Sequence, residues 1–365
     1  MERVDVVIVG EGTAAWSAAL AAARGGVRTI LLDRRWGERS NALVRLKASE
    51  MAELGIPLGR AERTHAKLIA SPKGHADLGG ARLEHAVRRD VLADHLAQRA
   101  EAERAGVVDG HGEIELLFEL DGWRVSPRAG EPVRAPVLLL AETARAPLLE
   151  SIGVGDVQRM SRSGAEIATH LVATWELPPS EMQKHNAIHV LEGRGPLSRI
   201  EVLPGRDRVT VAMGPIWAGL AIDEGPWPSV HHPAARYAIE RTARLLELPS
   251  TPTSVELDEW RLDALPSPPS FDGGLVVGAG AGQRRRDPLG SEADAFILGR
   301  AAGHAAAEAV LAETLRAKAI GALLGEAYAG VVAAITAEIC YEAHGLRHVR
   351  ATPPLDGVGR PRARH

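Results

Sequence analysis

The residues from Val4 to Ala15 constrain the fold more than any other stretch. Val4-Asp5-Val6-Val7-Ile8-Val9 is rich in β-branched side chains and stops at Gly10-Glu11-Gly12, and an alanine-rich run with a helical pattern follows from Ala14 to Arg24. A continuous apolar run closed by glycine reads as a parallel strand buried on both faces, so the order is strand, glycine turn, helix. Gly10 permits the tight turn, and Gly12 lets backbone approach a pyrophosphate. The helix start at Thr13 and Ala14 offers unpaired N–H groups and a positive dipole end to phosphates. Ala15 stands where a third glycine commonly packs helix on strand. A second strand, Val27 to Leu32, ends in Asp33, 21 residues beyond Gly12, where a carboxylate accepts hydrogen bonds from an adenosine ribose. In register, these features predict a dinucleotide site. A glycine-rich turn in an α/β protein without ligand is the alternative reading of the same residues.

At 365 residues the chain can bury a large core and hold two lobes. A formal net charge of -4 gives no basic footprint for nucleic acid, and no segment is apolar for long enough to span a bilayer. The first strand starts within four residues of Met1, which leaves no room for a signal peptide, and the expected location is cytoplasmic. Cys340 is the single cysteine, which excludes a disulfide framework, a CxxC redox pair and a thiolate metal cluster. The 14 histidines form no HxxxH with a third ligand. His231-His232, before Pro233, reads as a solvated loop pair in preference to a metal site.

Near the far end, Gly273-Gly274-Leu275-Val276-Val277-Gly278 is another short apolar strand that closes on glycine. Asp287-Pro288-Leu289-Gly290-Ser291-Glu292 and a helical run to Leu311 follow it. A nicotinamide-binding Rossmann domain has no reason to return to its nucleotide from so far along the chain, whereas a two-lobed flavoprotein does. The expected resident cofactor is therefore FAD, with NAD(P)H or a protein electron donor as its source of electrons.

Three further stretches carry a resemblance. Arg88-Arg89-Asp90-Val91-Leu92-Ala93-Asp94-His95-Leu96 matches a helix that opens on arginine and reaches leucine past an apolar pair. Val133 to Ala146 matches a strand that ends in an acidic turn, and Ala295 to Ala302 matches a helix of small residues. From Val4 to about Ala309 the chain resembles the FAD-dependent geranylgeranyl reductases and their electron-transfer-flavoprotein-dehydrogenase relatives, within the larger group of aromatic hydroxylases and flavin-dependent halogenases. The resemblance implies an α/β fold of the GR2 type. A Rossmann-like FAD-binding lobe would take 1–150 and 268–312, an antiparallel β-sheet substrate lobe 151–267, C-terminal helices 313–350 and a disordered tail 351–365. It places Arg89 near the flavin and Arg45 at the FAD phosphates or ribityl chain. It also adds Arg34, Val107, Gly278, Ala279, Pro288, Gly290, Ser291 and Glu292 to the cofactor-binding set of Gly10, Gly12, Thr13, Ala14, Ala15 and Asp33. The helix that starts near Glu292 is expected to direct its positive end at the flavin N1/C2 carbonyl.

Departures from the family pattern fall on the flavin side. Gly278-Ala279 stands where the family has Gly-Asp, Glu142-Thr143 replaces an Asp-Gly turn, and Ser291 and Ala293 replace the glycines around Glu292. Each change removes a carboxylate hydrogen bond, worth about 1.5–3 kcal/mol, or a close approach that only glycine allows. Adenosine anchoring is expected to survive better than ribityl anchoring.

Between the two FAD-binding portions, Ile167 to Trp175, Ile188 to Val190, Ser198 to Leu203 and Val209 to Met213 read as antiparallel strands. Pro204-Gly205-Arg206-Asp207 is one of the turns, and Ala234 to Leu246 is the helical partner of this sheet. The sheet is expected to roof the flavin. The prenyl reductases carry Pro-x-x-Tyr-x-Trp-x-Phe-Pro here, whereas this chain has Pro196-Leu197-Ser198-Arg199-Ile200-Glu201-Val202-Leu203-Pro204. Two unpaired charges would not face a hydrocarbon. Either Arg199 and Glu201 face solvent, or they bind a polar or zwitterionic substrate.

Candidates over the ring are His170, Arg199, Glu201 and Trp217, the last by apolar contact alone; each also serves as an ordinary residue of the sheet. Arg284-Arg285-Arg286 either attracts an anionic substrate or only solvates its loop. Three functions stay open: an FAD-dependent oxidoreductase acting on a polar small molecule, a flavin monooxygenase hydroxylating an aromatic or peptidyl side chain, and a degenerate flavoprotein without catalysis. Ala307 to Leu324 and Ala327 to Ala343 read as apolar helices that cover the cavity or form a homodimer face.

Overall fold

The computed structural model describes residues 2–33, 40–65, 68–71, 76–77, 84–110, 112–128, 130–141, 148, 152, 167–185, 187–192, 199–216, 230–261, 270–281, 289–290 and 292–312. Strands are numbered along the chain. Val6–Gly10 (β2), Thr29–Asp33 (β3), Gly106–Asp109 (β9), Val137–Ala141 (β13), Ser270–Phe271 (β19) and Gly274–Val276 (β20) form one sheet in the order β19-β20-β13-β2-β3-β9. All its pairings are parallel except β19 with β20. Val6, Val7, Ile8 and Val9 are all fully buried, which explains their unbroken apolar run. Val6, Ile8, Leu31, Val137 and Leu139 pack under the helices Gly12–Arg24 (α1), Arg89–Ala102 (α3) and Glu292–Leu311 (α6). Val7, Val9, Leu32, Leu138 and Leu140 pack against a second sheet. That sheet is Glu2–Arg3 (β1), Ile114–Glu119 (β10), Gly122–Pro127 (β11) and Val133–Ala135 (β12), in the order β1-β12-β11-β10.

The stretch from Val133, expected as one strand, is two. β12 ends at Ala135, paired with Trp123 of β11, and β13 begins at Val137, paired with Val6 of β2. Pro136 separates them, because proline has no N–H to give to either ladder.

Helix α1 is rich in alanine because it lies between the parallel sheet and α6. A Cβ at Gly299 of α6 would lie 2.2 Å from the Ala14 carbonyl oxygen, and one at Gly303 would lie 2.3 Å from that of Ala18. The two helices therefore touch backbone to backbone over two turns, and α6 returns to the start of α1.

The third sheet is the roof: Leu68–Ser71 (β6), Ala76–Asp77 (β7), Ile167–Glu176 (β14), Ile188–Glu192 (β15), Arg199–Pro204 (β16), Arg208–Ile216 (β17) and Ser254–Arg261 (β18), in the order β18-β14-β17-β16-β15-β6-β7. The antiparallel strands expected between 167 and 216 are present, and the helix expected beside them spans Pro233–Leu245 (α5). β6 pairs in parallel with β15, so a segment of the first 150 residues joins this sheet. Leu171, Ala173, Trp175, Val202, Val211 and Met213 pack on Ala235, Ala238 and Ile239 of α5. His232 is buried, and its Nδ1 accepts from the Ala234 N–H, so it caps α5 where a solvated loop residue was expected. A small sheet of Leu43–Lys47 (β4), Arg63–His65 (β5) and Glu84–Arg88 (β8), with the short helices Ala48–Leu54 (α2) and Pro179–Met182 (α4), completes the described fold. The expected C-terminal helices beyond residue 312 and the tail lie outside the described residues.

Two measurements test this packing. Gly299→Ala and Gly303→Ala each place a methyl into main chain and are expected to cost about 1–3 kcal/mol or more in urea unfolding; unchanged midpoints would show that the helices do not touch there. His85 and His185 are buried, and desolvation lowers the pKa of both; at His185 the nearby His189 and Lys184 lower it further. The unfolded chain then binds more protons, so this stability is complete above about pH 6.5 and is lost as pH falls through the lowered values. The urea midpoint is expected to drop below about pH 6.5, and less steeply in His185→Gln; equal slopes would remove His185 from the account.

Candidate functional site

The C-terminal edge of the parallel sheet carries the first half of the site. Gly10 pairs with Asp33 on one side and Ala141 on the other, and Asp33 pairs with Asp109. β3 and β13 leave β2 in opposite directions, so the crevice between them is the switch point where open α/β sheets bind nucleotides. A Cβ at Gly10 would sit 2.3 Å from the Ala141 carbonyl oxygen, and the Glu11 N–H donates to that oxygen at 3.1 Å. Gly12 has φ +69, and a Cβ there would meet no atom within 4 Å. That open space lies at the start of α1, next to Thr13, Ala14 and Ala15. Asp33 is buried at the strand end. Val107 lies two residues before the edge, paired with Leu31, with its side chain turned to the helix-side core. Gly278 has φ +74 and opens a 3-10 turn, Gly278–Ala281; its Cβ position is 3.5 Å from the Ala14 methyl. The glycine cradle, the buried acid and the bare helix start fit the adenosine and pyrophosphate portion of a dinucleotide. Ala279 lies within the 3-10 turn. Arg34, Glu142, Thr143, Trp217, Arg284 to Arg286, Pro288 and Ser291 lie outside the described residues.

Glu292 opens α6 beside this crevice, and its described partners are protein groups. Thr13 Oγ1 donates to Glu292 Oε2 at 2.5 Å, and Arg89 Nε is 3.0 Å from Glu292 Oε1. Arg89 Nη1 also reaches Glu256 Oε2 of β18 at 3.3 Å, and Ser40 Oγ donates to the other oxygen of Glu256. Burial works to lower the Arg89 pKa, but Glu292, Glu256 and Asp258 outweigh it and hold the group charged above the usual arginine value. Glu292 and Asp294 both stand in the first turn of α6, so two carboxylates offset the positive field expected from that helix end.

The roof supplies the second half. Alternation puts His170, Val172 and Thr174 of β14 on the face away from α5, with Arg199, Glu201 and Leu203 of β16 and Glu256 and Asp258 of β18. This inner face meets the β4 segment through polar contacts, and β4 in turn holds Leu289. The Leu43 N–H donates to Thr210 Oγ1 at 2.9 Å, Ser254 Oγ donates to Asn41 Oδ1 at 3.1 Å, and the Arg45 N–H donates to the Leu289 carbonyl at 2.5 Å. The Arg45 guanidinium, expected at the FAD phosphates, lies between Glu201 (Nε to Oε1, 3.2 Å) and Glu84 (3.7 Å). Arg199 Nη2 lies 3.6 Å from Glu201 Oε2. Glu201 is 0% exposed, which removes the solvent-facing alternative for it. The charges are also not unpaired, as the argument against a hydrocarbon had assumed, because Arg45 sits against Glu201. His170 is buried in the same row as Arg199.

Glu84, Glu256 and Leu289 were not anticipated. The alternation Glu256-Leu257-Asp258 is a period-two signal for acids on one face of a strand, but nothing local shows that this face meets Arg89. Among the described residues no cluster of His, Cys, Asp and Glu could hold a metal, and no helix is long and apolar enough to cross a membrane.

No family model matches the chain. Over 114 residues it is 36% identical to the chloroplastic geranylgeranyl diphosphate reductase of Oryza sativa subsp. japonica, covering 30% of this chain and 25% of that protein. Over 172 residues it is 32% identical to the Arabidopsis thaliana enzyme, covering 42% and 37%. The chain thus matches well under half the length of these relatives. A geranylgeranyl bacteriochlorophyll reductase-like protein from Thermoplasma acidophilum superposes with TM-score 0.68 at 16% identity, covering 96% of this chain and 92% of that one. The chain shares the fold of that protein. A halogenase in complex with FAD (TM-score 0.67, 12% identity, 95% and 77% covered) and a peptidyl tryptophan dihydroxylase (0.65, 16%, 98% and 81%) share it.

The crevice is tested by Asp33→Ala, which is expected to weaken FAD binding by about 1.5–3 kcal/mol, the scale of a charged hydrogen bond. Fluorescence titration of the FAD-free protein measures it, and wild-type affinity in the variant would place the adenosine elsewhere.

Proposed function

We propose that this chain is an FAD-dependent oxidoreductase acting on a polar small molecule between the roof and the nucleotide crevice. The observation that carries the reading is the inner face of the roof, where Glu84, Arg45, Glu201 and Arg199 form a chain of buried and half-buried charges beside the Leu289-Gly290 turn. Gly10, Gly12, Thr13 and Asp33 would hold the adenosine half of FAD, and Gly278 and Gly290 would line the approach to its ring end. Bound FAD supplies hydride and electron transfer. The chain's own residues bind and orient the substrate. Arg199 and Glu201 present a charged edge, and His170, across β17 from Arg199, is placed to hold or accept a proton. Helix α6 and the roof exclude water from the crevice. The charged wall is unsuited to a prenyl chain, although the named sequence relatives are prenyl-diphosphate reductases.

A second reading, monooxygenation of an aromatic or peptidyl side chain, is favoured by the near-complete superposition on a peptidyl tryptophan dihydroxylase. The two part on oxygen. Denatured protein is expected to release FAD, and donor oxidation with substrate is expected to continue under anaerobic conditions. Oxygen uptake in step with donor consumption would give the second reading instead, and a colourless protein that takes up no FAD would overturn both.

A further inference from the structure

Helix α1 starts in a way that suits an anion. Its first N–H groups have no partner within the helix, the Glu11 side chain does not cap them, and no acid stands in the first turn. The positive end of the helix dipole is therefore left to attract a phosphate. Gly12 keeps the space there open, since a Cβ on it would meet no atom within 4 Å.

Glu292 works against this. It is buried, it comes from 279 residues along the chain, and its Oε2 accepts from the hydroxyl of Thr13, the second residue of α1. That contact ties the start of α6 to the start of α1, but it also sets a carboxylate beside the anion-binding end. A charge within about 4–6 Å shifts a neighbour's ionic equilibrium by roughly one to three powers of ten. Asp33 and Asp294 are further buried acids nearby, at the end of β3 and in the first turn of α6. Such a wall would repel a diphosphate unless a cation stood against it.

Arg89 stands there. Its Nε lies 3.0 Å from Glu292 Oε1, the oxygen that Thr13 leaves, while its Nη1 is given to Glu256 of β18 at 3.3 Å. Burial opposes its charge, and Glu292, Glu256 and Asp258 outweigh burial. Building on the FAD reading, we infer that Arg89 is a positioning residue for the cofactor's diphosphate, acting through Glu292: it cancels the charge of the acid that ties α6 to α1, so that the helix start keeps its attraction for phosphate. The tie and the anion site then coexist.

The experiment titrates FAD-free protein with FAD by fluorescence at about pH 8, where carboxylates are ionised, and follows urea unfolding of each variant beside it. Arg89→Gln is expected to weaken FAD by roughly ten- to hundred-fold. Arg89→Gln/Glu292→Gln removes cation and acid together and is expected to bind FAD more tightly than Arg89→Gln, although its urea midpoint stays below that of wild type because the contact with Glu256 is still lost. Glu292→Gln alone keeps an acceptor for Thr13 and is expected to bind FAD at least as tightly as wild type. A double variant no tighter than Arg89→Gln overturns the inference, because direct contact with the phosphates or packing alone would give that result. Wild-type affinity in Arg89→Gln overturns it too, and so does weaker binding in Glu292→Gln, which would make the acid itself a ligand of the cofactor. If the Arg89 variants do not fold, Glu292→Gln decides. A wild-type protein that takes up no FAD fails the broader reading before any variant is compared.

Discussion

The Arg89 guanidinium joins three parts of the chain that are far apart in sequence. It reaches Glu292 at the start of α6 and Glu256 on β18, while Glu292 accepts from Thr13 at the start of α1. The glycine turn, the returning helix and the roof are thereby tied through one cation. Its carboxylate neighbours keep it charged despite burial. Removing one partner of such a buried pair generally costs about 3–5 kcal/mol, because the remaining charge is left without compensation. The backbone contact at Gly299 and Gly303 brings Glu292 within reach of Thr13, so the apolar and ionic features depend on each other.

The roof has two unlike faces. The face toward α5 is apolar and closes with ordinary packing through Trp175, Val211 and Met213. The opposite face meets the nucleotide lobe through hydroxyls, amides and ion pairs, with a small apolar patch of Val172, Leu203, Ala212 and Leu289. Polar contacts of this kind need definite geometry, since a one-residue slip in β16 would turn Arg199 and Glu201 to the apolar side and Ile200 and Val202 to the polar one. Burying charge between lobes thus fixes register as well as chemistry.

Much of the fold was legible before any coordinates. The strand from Val6, the alanine helix and the acid at Asp33 follow from local pattern, and so do the roof strands and the helix from Pro233. Other features were not. Pro136 splits an apolar run between two sheets, and β6 crosses from the first third of the chain to pair with β15; strand pairing across such separations leaves no periodic signal. His232 was read as a loop residue because a cap is recognised only when the helix behind it and the Ala234 N–H are in place.

The sequence by itself determined the strand, glycine turn and helix at the start of the chain and the acid that ends the next strand, because glycine at a turn, alanine on a helix and an acid at a strand end act over a few residues. The tertiary structure decided the partners of the charged residues. Arg45 lies between Glu84 and Glu201, and Glu292 takes Thr13 and Arg89, since ionic contacts form wherever the chain brings charges together in a dry seam. Charge identity is written locally, whereas burial and partnership belong to the assembled fold.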